Sequence, residues 1–237
     1  TGEIQLAPIT LFFGSNSSGK SSIGQFLMML KQTTESSDRK SVIFPGISNS
    51  HVQLGSFRDM VFQHDLKNKI SFSYTWELAS NISFKDVNNR IDYTGNELFF
   101  SAITQITERT TIPSVESIKY CLNNHTENSY RRVVEIDLEK SEKGGYSLKS
   151  AEYNFVRNSG RAWKIPSVVR FYGFADEVNA YYQNANFVQL FNLEQENLFR
   201  RIYYLGPLRS KPGRIYPWPG NEPDGVGDTG ENPIAAI

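Results

Sequence analysis

The stretch ITLFFGSNSSGKSSIGQFLMML, Ile9 to Leu30, decides the predicted fold class of this chain of 237 residues. Its first five residues are β-branched, aromatic or aliphatic, which is typical of a buried strand. From residue 21 to about residue 31, apolar side chains recur at helical spacing and predict an amphipathic helix. A buried strand, a glycine-containing loop and a helix in this order favour an α/β fold.

The loop between the predicted strand and helix fits the phosphate-binding pattern G-x-x-x-x-G-K-[ST]. Its glycines let backbone N–H groups turn toward a phosphate that a Cβ atom would obstruct. Lys20 would bridge the β- and γ-phosphates, and Ser21 would place its hydroxyl on Mg²⁺ at the positive end of the helix dipole. The sequence therefore predicts a site for a nucleotide and Mg²⁺ formed by Gly14, Ser15, Asn16, Ser17, Ser18, Gly19, Lys20, Ser21 and Ser22.

The rest of the sequence favours an adenine nucleotide. Guanine-specific enzymes read their base with Asn-Lys-x-Asp, and the nearest match, Asn68-Lys69-Ile70-Ser71, lacks the carboxylate. Small-molecule kinases place an acidic residue or an arginine clamp soon after the first helix, and no such arrangement is visible here. We therefore expect ATP as the cofactor.

Several segments resemble the N-terminal portion of the SMC-like, ABC-type ATPases, which include overcoming-lysogenization-defect and RecF relatives in prokaryotic defence and DNA repair. They are residues 6–23, where Asn16 gives the G-x-N-x-x-G-K-S form typical of that group, and the later residues 54–61, 204–210, 214–216 and 226–231. The resemblance implies a P-loop ATPase lobe with a mixed sheet and an inserted β/helical region. It divides the chain into a P-loop core (1–80), the inserted region (81–201), and a core strand with a Gly/Pro-rich loop (202–237).

The resemblance also implies how such a protein works. Two subunits would form a homodimer around ATP, and hydrolysis would drive a DNA-related effector or an associated nuclease. Gln53 is the first candidate for the glutamine that senses the γ-phosphate, with Gln63 as the second. Arg209 and Arg214 are candidates for contacts with phosphate or with a second subunit.

Catalysis in this family needs an apolar strand that ends in Asp-Glu, and a Leu-Ser-x-Gly-Glu signature. Residues 133–137 end in Asp137 but are interrupted by Glu135, and Asp176-Glu177 better suits the start of a helix. Gly227-Asp-Thr-Gly-Glu231 lacks the Leu-Ser entry. We expect the catalytic half to follow Ile237 and this portion alone to be inactive. The alternatives are an ATP-sensing scaffold with little hydrolysis and a small-molecule phosphotransferase.

Composition limits the other function classes. The 25 basic and 25 acidic residues cancel, so the overall charge does not indicate nonspecific nucleic-acid binding. Cys121 is the single cysteine and cannot form an intrachain disulfide, which favours a reducing cytoplasm and a buried structural thiol. The three histidines lack metal-ligand spacing. No apolar run is long enough to cross a bilayer, so we expect no membrane association and a cytoplasmic location.

The remaining pattern predicts further strands and helices. Alternation predicts strands at residues 69–77, 131–139 and 146–157, with Gly144-Gly145 as a hairpin turn between the last two. Shorter apolar runs predict strands at 168–174 and 202–206. Helical spacing predicts partly helical structure at 95–125 and a long helix at 175–201.

Overall fold

The structure is a computed structural model that describes residues 2–86, 90–106, 112–142, 144–160 and 164–205, with residues 220, 226, 227, 230 and 232. Its helices are α1 (Lys20–Glu35), α2 (Phe57–Met60), α3 (Glu177–Tyr181) and α4 (Val188–Arg200), and a 3₁₀ turn covers Phe62–His64. Its strands are β1 (Ile70–Asp86), β2 (Ile91–Ile106), β3 (Pro113–Thr126), β4 (Ser129–Lys140) and β5 (Tyr146–Lys149). Within these described residues, no helix has the length and apolar character that a membrane crossing requires.

The five strands form one sheet in chain order, and every neighbouring pair is antiparallel. Tyr74 lies opposite Phe100, Phe100 opposite Tyr120, and Tyr120 opposite Ile136. Consecutive strands are separated by at most six residues. Parallel neighbours need a crossover of about a dozen residues or more, so connections this short impose the antiparallel arrangement.

The predicted α/β class with a mixed sheet is therefore wrong. The segment Ile9-Thr-Leu-Phe-Phe13, expected as the central buried strand, forms no strand, and Ile9 and Phe13 are 83% and 87% exposed. β-forming side chains are not sufficient for a strand, because its backbone groups need a neighbouring strand. None of the five described strands supplies that neighbour to residues 9–13.

One face of the sheet carries the core. Rings from β1, β2 and β3 pack against each other and against the C-terminal helical region, with centroids 4.8 Å apart for Phe100 and Tyr120 and 5.2 Å apart for Tyr120 and Phe191. Helix α1 joins this core through Phe26, whose ring lies 5.1 Å from that of Phe72. The opposite face of the sheet carries charged and polar side chains. This one-sided burial produces the alternation along β1 and β4.

Of the remaining predicted helices and strands, some are confirmed and others are wrong. The helix after the loop (α1), the strand at 69–77 (within β1) and the strand at 131–139 (within β4) are confirmed. The partly helical prediction for 95–125 is wrong, since residues 95–106 lie in β2 and residues 113–125 lie in β3. Residues 168–174 make a tight turn closed by a Val169–Gly173 bridge, and 202–205 form no strand. The long helix at 175–201 is two helices, α3 and α4, and β5 ends at Lys149.

Cys121 lies on β3 as the buried thiol that the sequence predicts, at 8% exposure. Its Sγ donates to Glu135 Oε2 at 3.4 Å, and burial raises the pKa of this thiol to about 12. The thiolate is the reactive form, and its fraction at pH 8 falls as this pKa rises. We expect iodoacetamide at pH 8 to alkylate Cys121 at least about 100-fold more slowly in the folded protein than in urea. Mass spectrometry of timed samples measures both rates, and equal rates would contradict this burial.

Candidate functional site

The glycine loop leads directly into α1. Gly19 precedes the helix with φ 85° and ψ 7°, a left-handed conformation that glycine adopts without strain. No side chain caps this end of α1, and the first turn contains no acidic residue. The first N–H groups of the helix therefore have no side-chain acceptor, and their partial positive charge faces the loop. This is the local arrangement that accepts an anion.

Lys20 folds back across the loop. Its Nζ donates to the carbonyl oxygens of Gly14 at 2.9 Å and Ser15 at 2.6 Å, and lies 3.4 Å from Ser18 Oγ. The first residue of a helix is a place where the dipole disfavours a cation, by about 0.3–1 kcal/mol. The carbonyl contacts hold the ammonium there in spite of that cost. The loop thus surrounds a fixed positive charge next to uncapped helix N–H groups.

The other loop residues are open to solvent. Ser15, Asn16, Ser17 and Ser18 are exposed, as are Ser21 and Ser22 at the second and third positions of α1. A Cβ atom on Gly14 would come within 2.8 Å of Ser18 Oγ, so the loop closes tightly at this glycine. Across the ranges that the structure describes, no cluster of three His, Cys, Asp or Glu side chains could hold a metal ion. Coordination of Mg²⁺ by Ser21 stays a prediction.

Gln53 lies on a segment that α1 holds in place. The side chain of Gln32 donates to the carbonyl oxygens of Phe44 at 2.9 Å and Val52 at 3.3 Å, and accepts from the Val52 N–H at 3.2 Å. Gln53 follows Val52 and is exposed, and in the described part of the chain it makes no hydrogen bond to the loop. The second candidate, Gln63, lies in the 3₁₀ turn with a left-handed φ of 55°. The sensing role of either glutamine stays a prediction.

Replacing Gln32 tests how α1 holds this segment. We expect Gln32→Leu to lower the free energy of unfolding by about 2–3 kcal/mol, because it leaves buried backbone groups of Phe44 and Val52 without partners. Urea denaturation followed by circular dichroism measures the change. The matched control is Gln53→Leu, an exposed glutamine on the same segment, with an expected change of no more than about 0.5 kcal/mol. Similar losses in both variants would show that the Gln32 contacts contribute little.

A pocket of about 290 Å³ opens beside the first two turns of α1. It begins at Ser22, the last residue of the predicted nucleotide-binding set, and continues along α1. Gln25 and Asp59 provide its charged or amide groups, and its apolar walls are Phe26, Met29, Leu54, Met60 and Ile70. Apart from Ser22, none of these lining residues was predicted from the sequence to belong to a site. A signal was present in Ser56-Phe-Arg-Asp59, because a serine followed three residues later by an acidic residue is a capping-box pattern.

The two acidic sequences that imitate a catalytic strand have structural roles. Within β4, Glu135 accepts from Lys119 Nζ at 2.8 Å, and Lys119 also lies 3.4 Å from Asp137. The hydrogen bond from Lys119 is the main cause of the lowered pKa of Glu135. Asp176 precedes α3 and Glu177 begins it, as the sequence predicts, although the Asp176 side chain makes no capping bond. Arg209 and Arg214 lie outside the described residues.

Comparison with known proteins gives one distant match. No known protein family matches the chain, and no solved structure matches it. The chain is 29% identical over 103 residues to a curated protein named nucleotide-binding protein, from Parafrankia sp. (strain EAN1pec). The match covers 44% of this chain and 62% of that relative, so the chain spans less than two thirds of the relative's length. The finding is a distant, partial relationship to a protein that is named for nucleotide binding.

Proposed function

We propose that this chain binds ATP through the loop at residues 14–22. The observation that carries the proposal is the position of Lys20, whose ammonium lies on the loop carbonyls beside the uncapped start of α1. A triphosphate would replace the carbonyls as the partner of this ammonium and would accept bonds from the helix N–H groups. The distant relationship to a protein named for nucleotide binding supports the same proposal.

The roles within the proposed site follow from position. The backbone N–H groups of residues 15–19 would contact the β-phosphate, Lys20 would neutralise the β- and γ-phosphates, and Ser21 would bind Mg²⁺. The test is calorimetric titration of the chain with ATP and Mg²⁺, with Lys20→Ala as the decisive variant. Saturation at one nucleotide per chain, lost in that variant, is the expected result. Failure of the unmodified chain to bind millimolar ATP would overturn the proposal.

The resemblance also implies three functions beyond ATP binding. They are hydrolysis of ATP, a homodimer around ATP and the action of a DNA-related effector. They rest on the resemblance of the loop and flanking segments to SMC-like ATPases, and they stay predictions for the complete protein. Release of phosphate from ATP by the full-length protein measures the first, since this portion alone is expected to be inactive. Size-exclusion chromatography with and without ATP measures the second. An ATP-sensing role with little hydrolysis is the alternative, and it predicts nucleotide-dependent assembly without phosphate release.

A further inference from the structure

The pocket beside α1 includes Ser22, the last residue of the predicted nucleotide-binding set. Ser22, Phe26 and Met29 line it, and their spacing of four and three residues places them on one face of the helix. Ser22 lies about 3 Å along the helix axis from Lys20 and about 200° around it. A nucleotide whose phosphates lie on Lys20 therefore reaches the pocket around the start of α1. A nucleotide continues from its phosphates into a ribose and a base.

The size and walls of the pocket suit a planar heterocycle. Ligand pockets usually begin at about 300 Å³, so a pocket of about 290 Å³ holds a small group rather than a large ligand. Its walls come from α1, from the segment around Leu54 and Met60, and from Ile70 at the start of β1. Thioether and aliphatic side chains pack well on ring faces. The few polar side chains of the pocket, Ser22, Gln25 and Asp59, decide which hydrogen-bonding edge of a base fits.

Asp59 is the charged group of the pocket, and one of its two oxygens is already used. Its Oδ2 accepts from the Ser56 N–H at 2.7 Å and from the Ser56 hydroxyl at 2.7 Å. These bonds from Ser56 lower the pKa of Asp59, so the group is a carboxylate and can only accept. Each carboxylate oxygen accepts about two bonds, which leaves Oδ1 as the acceptor for a ligand.

This arrangement discriminates between bases. Guanine pairs best with a carboxylate through two adjacent N–H donors, one to each oxygen, and Oδ2 is occupied here. Adenine presents a single amino donor beside a ring acceptor. Its amino group needs one acceptor, and the amide of Gln25, also in the pocket, can donate to the ring nitrogen. Inosine carries an oxygen in place of the amino group, so in the orientation that adenine takes it would place one acceptor against another, and its ring N–H would reach Oδ1 only after the base shifts in the pocket.

We infer that this pocket holds the adenine of the bound nucleotide, with its amino group donating to Asp59. The inference rests on the proposed ATP binding by the loop and deepens it by assigning the base site. It makes Asp59 a residue that determines base specificity. It also assigns the apolar walls, which the phosphate-binding pattern does not include, to the same ligand.

The experiment compares three ligands by calorimetry, each with Mg²⁺: ATP, ITP and tripolyphosphate. In the unmodified chain we expect ITP to bind at least about 10-fold more weakly than ATP. Asp59→Asn offers an amide N–H to the inosine oxygen, so ATP should weaken and the preference over ITP should fall to about 3-fold or less. Tripolyphosphate should bind the variant and the unmodified chain equally. Asp65→Asn, an exposed aspartate in the neighbouring turn, is the matched control and should change none of the three affinities.

A second variant fills the pocket without altering charge. Leu54→Trp should weaken ATP about 10-fold or more and leave tripolyphosphate unchanged, and circular dichroism checks that it is folded. If ATP and ITP bind alike and neither variant affects them while tripolyphosphate binds, the base assignment is overturned and the proposed function survives. If neither ATP nor tripolyphosphate binds the unmodified chain, the proposed function fails and the base assignment with it.

Discussion

Lys20→Ala is expected to weaken ATP binding by at least about 100-fold. A charge-assisted hydrogen bond contributes about 1.5–3 kcal/mol, and we expect Lys20 to make two with the β- and γ-phosphates. Calorimetric titration with ATP and Mg²⁺ measures the loss. The variant should remain folded, since the contacts that Lys20 now makes are with the exposed loop and not with the core.

The control variant, Lys40→Ala, also removes a lysine charge, but far from the loop. Lys40 is exposed and follows the far end of α1, about 20 Å along the helix from the loop. Lys40→Ala should leave the ATP affinity within about 2-fold, because charges separated by more than a Debye length are largely screened. Unchanged ATP binding in Lys20→Ala, or equal losses in both variants, would contradict the assignment of the loop.

Phe100→Ala is expected to lower the free energy of unfolding by about 3–5 kcal/mol. Phe100 is fully buried on β2, and its ring contacts those of Phe72, Tyr74, Tyr120 and Phe171. Truncation leaves a cavity at the junction of the sheet and the C-terminal region, which relaxes only partly. Since a domain is stable by only about 5–15 kcal/mol, this single change removes a large share of the total. Urea denaturation followed by circular dichroism measures it.

Phe62→Ala is the matched control, because Phe62 is 75% exposed in the 3₁₀ turn. We expect it to change the free energy of unfolding by no more than about 0.5 kcal/mol. The contrast between the two phenylalanines tests the position of Phe100 in the core directly. In the register described here, Phe100 is central and Phe62 lies outside the core. Equal effects would contradict that arrangement.

Local patterns predicted the elements that local interactions stabilise. Helix α1 was visible from its spacing, β1 and β4 from their alternation, and the turn at Gly144-Gly145 from its composition. The error at residues 95–125 has a clear cause. Leu98, Ala102 and Ile106 are spaced by four, which satisfies both a helix and one face of a strand. Pairing of β2 with strands on both sides decides in favour of the strand.

In the candidate site, too, some residues were predictable from the sequence and others were not. The nine residues 14–22 could be predicted as a phosphate site because phosphate binding uses backbone N–H groups, one lysine and one hydroxyl that are contiguous in sequence. The base pocket could not, because Ser22, Asp59 and Ile70 come together only when the segment after α1 folds back onto the helix. No pattern of residue spacing in the sequence predicts that contact.

The phosphate-binding pattern of the loop, the helix that follows it, the buried thiol and the alternating strands were predictable from short stretches of sequence, because the residue types within a few positions indicate each of them. The fold class, the exposure of Ile9 and Phe13 and the pocket beside α1 depend instead on contacts between distant segments. The physical reason is that a strand is stabilised by backbone hydrogen bonds to another strand, and a pocket by walls from separate segments. Both are relations between residues distant in sequence, and a local pattern carries no information about the partner.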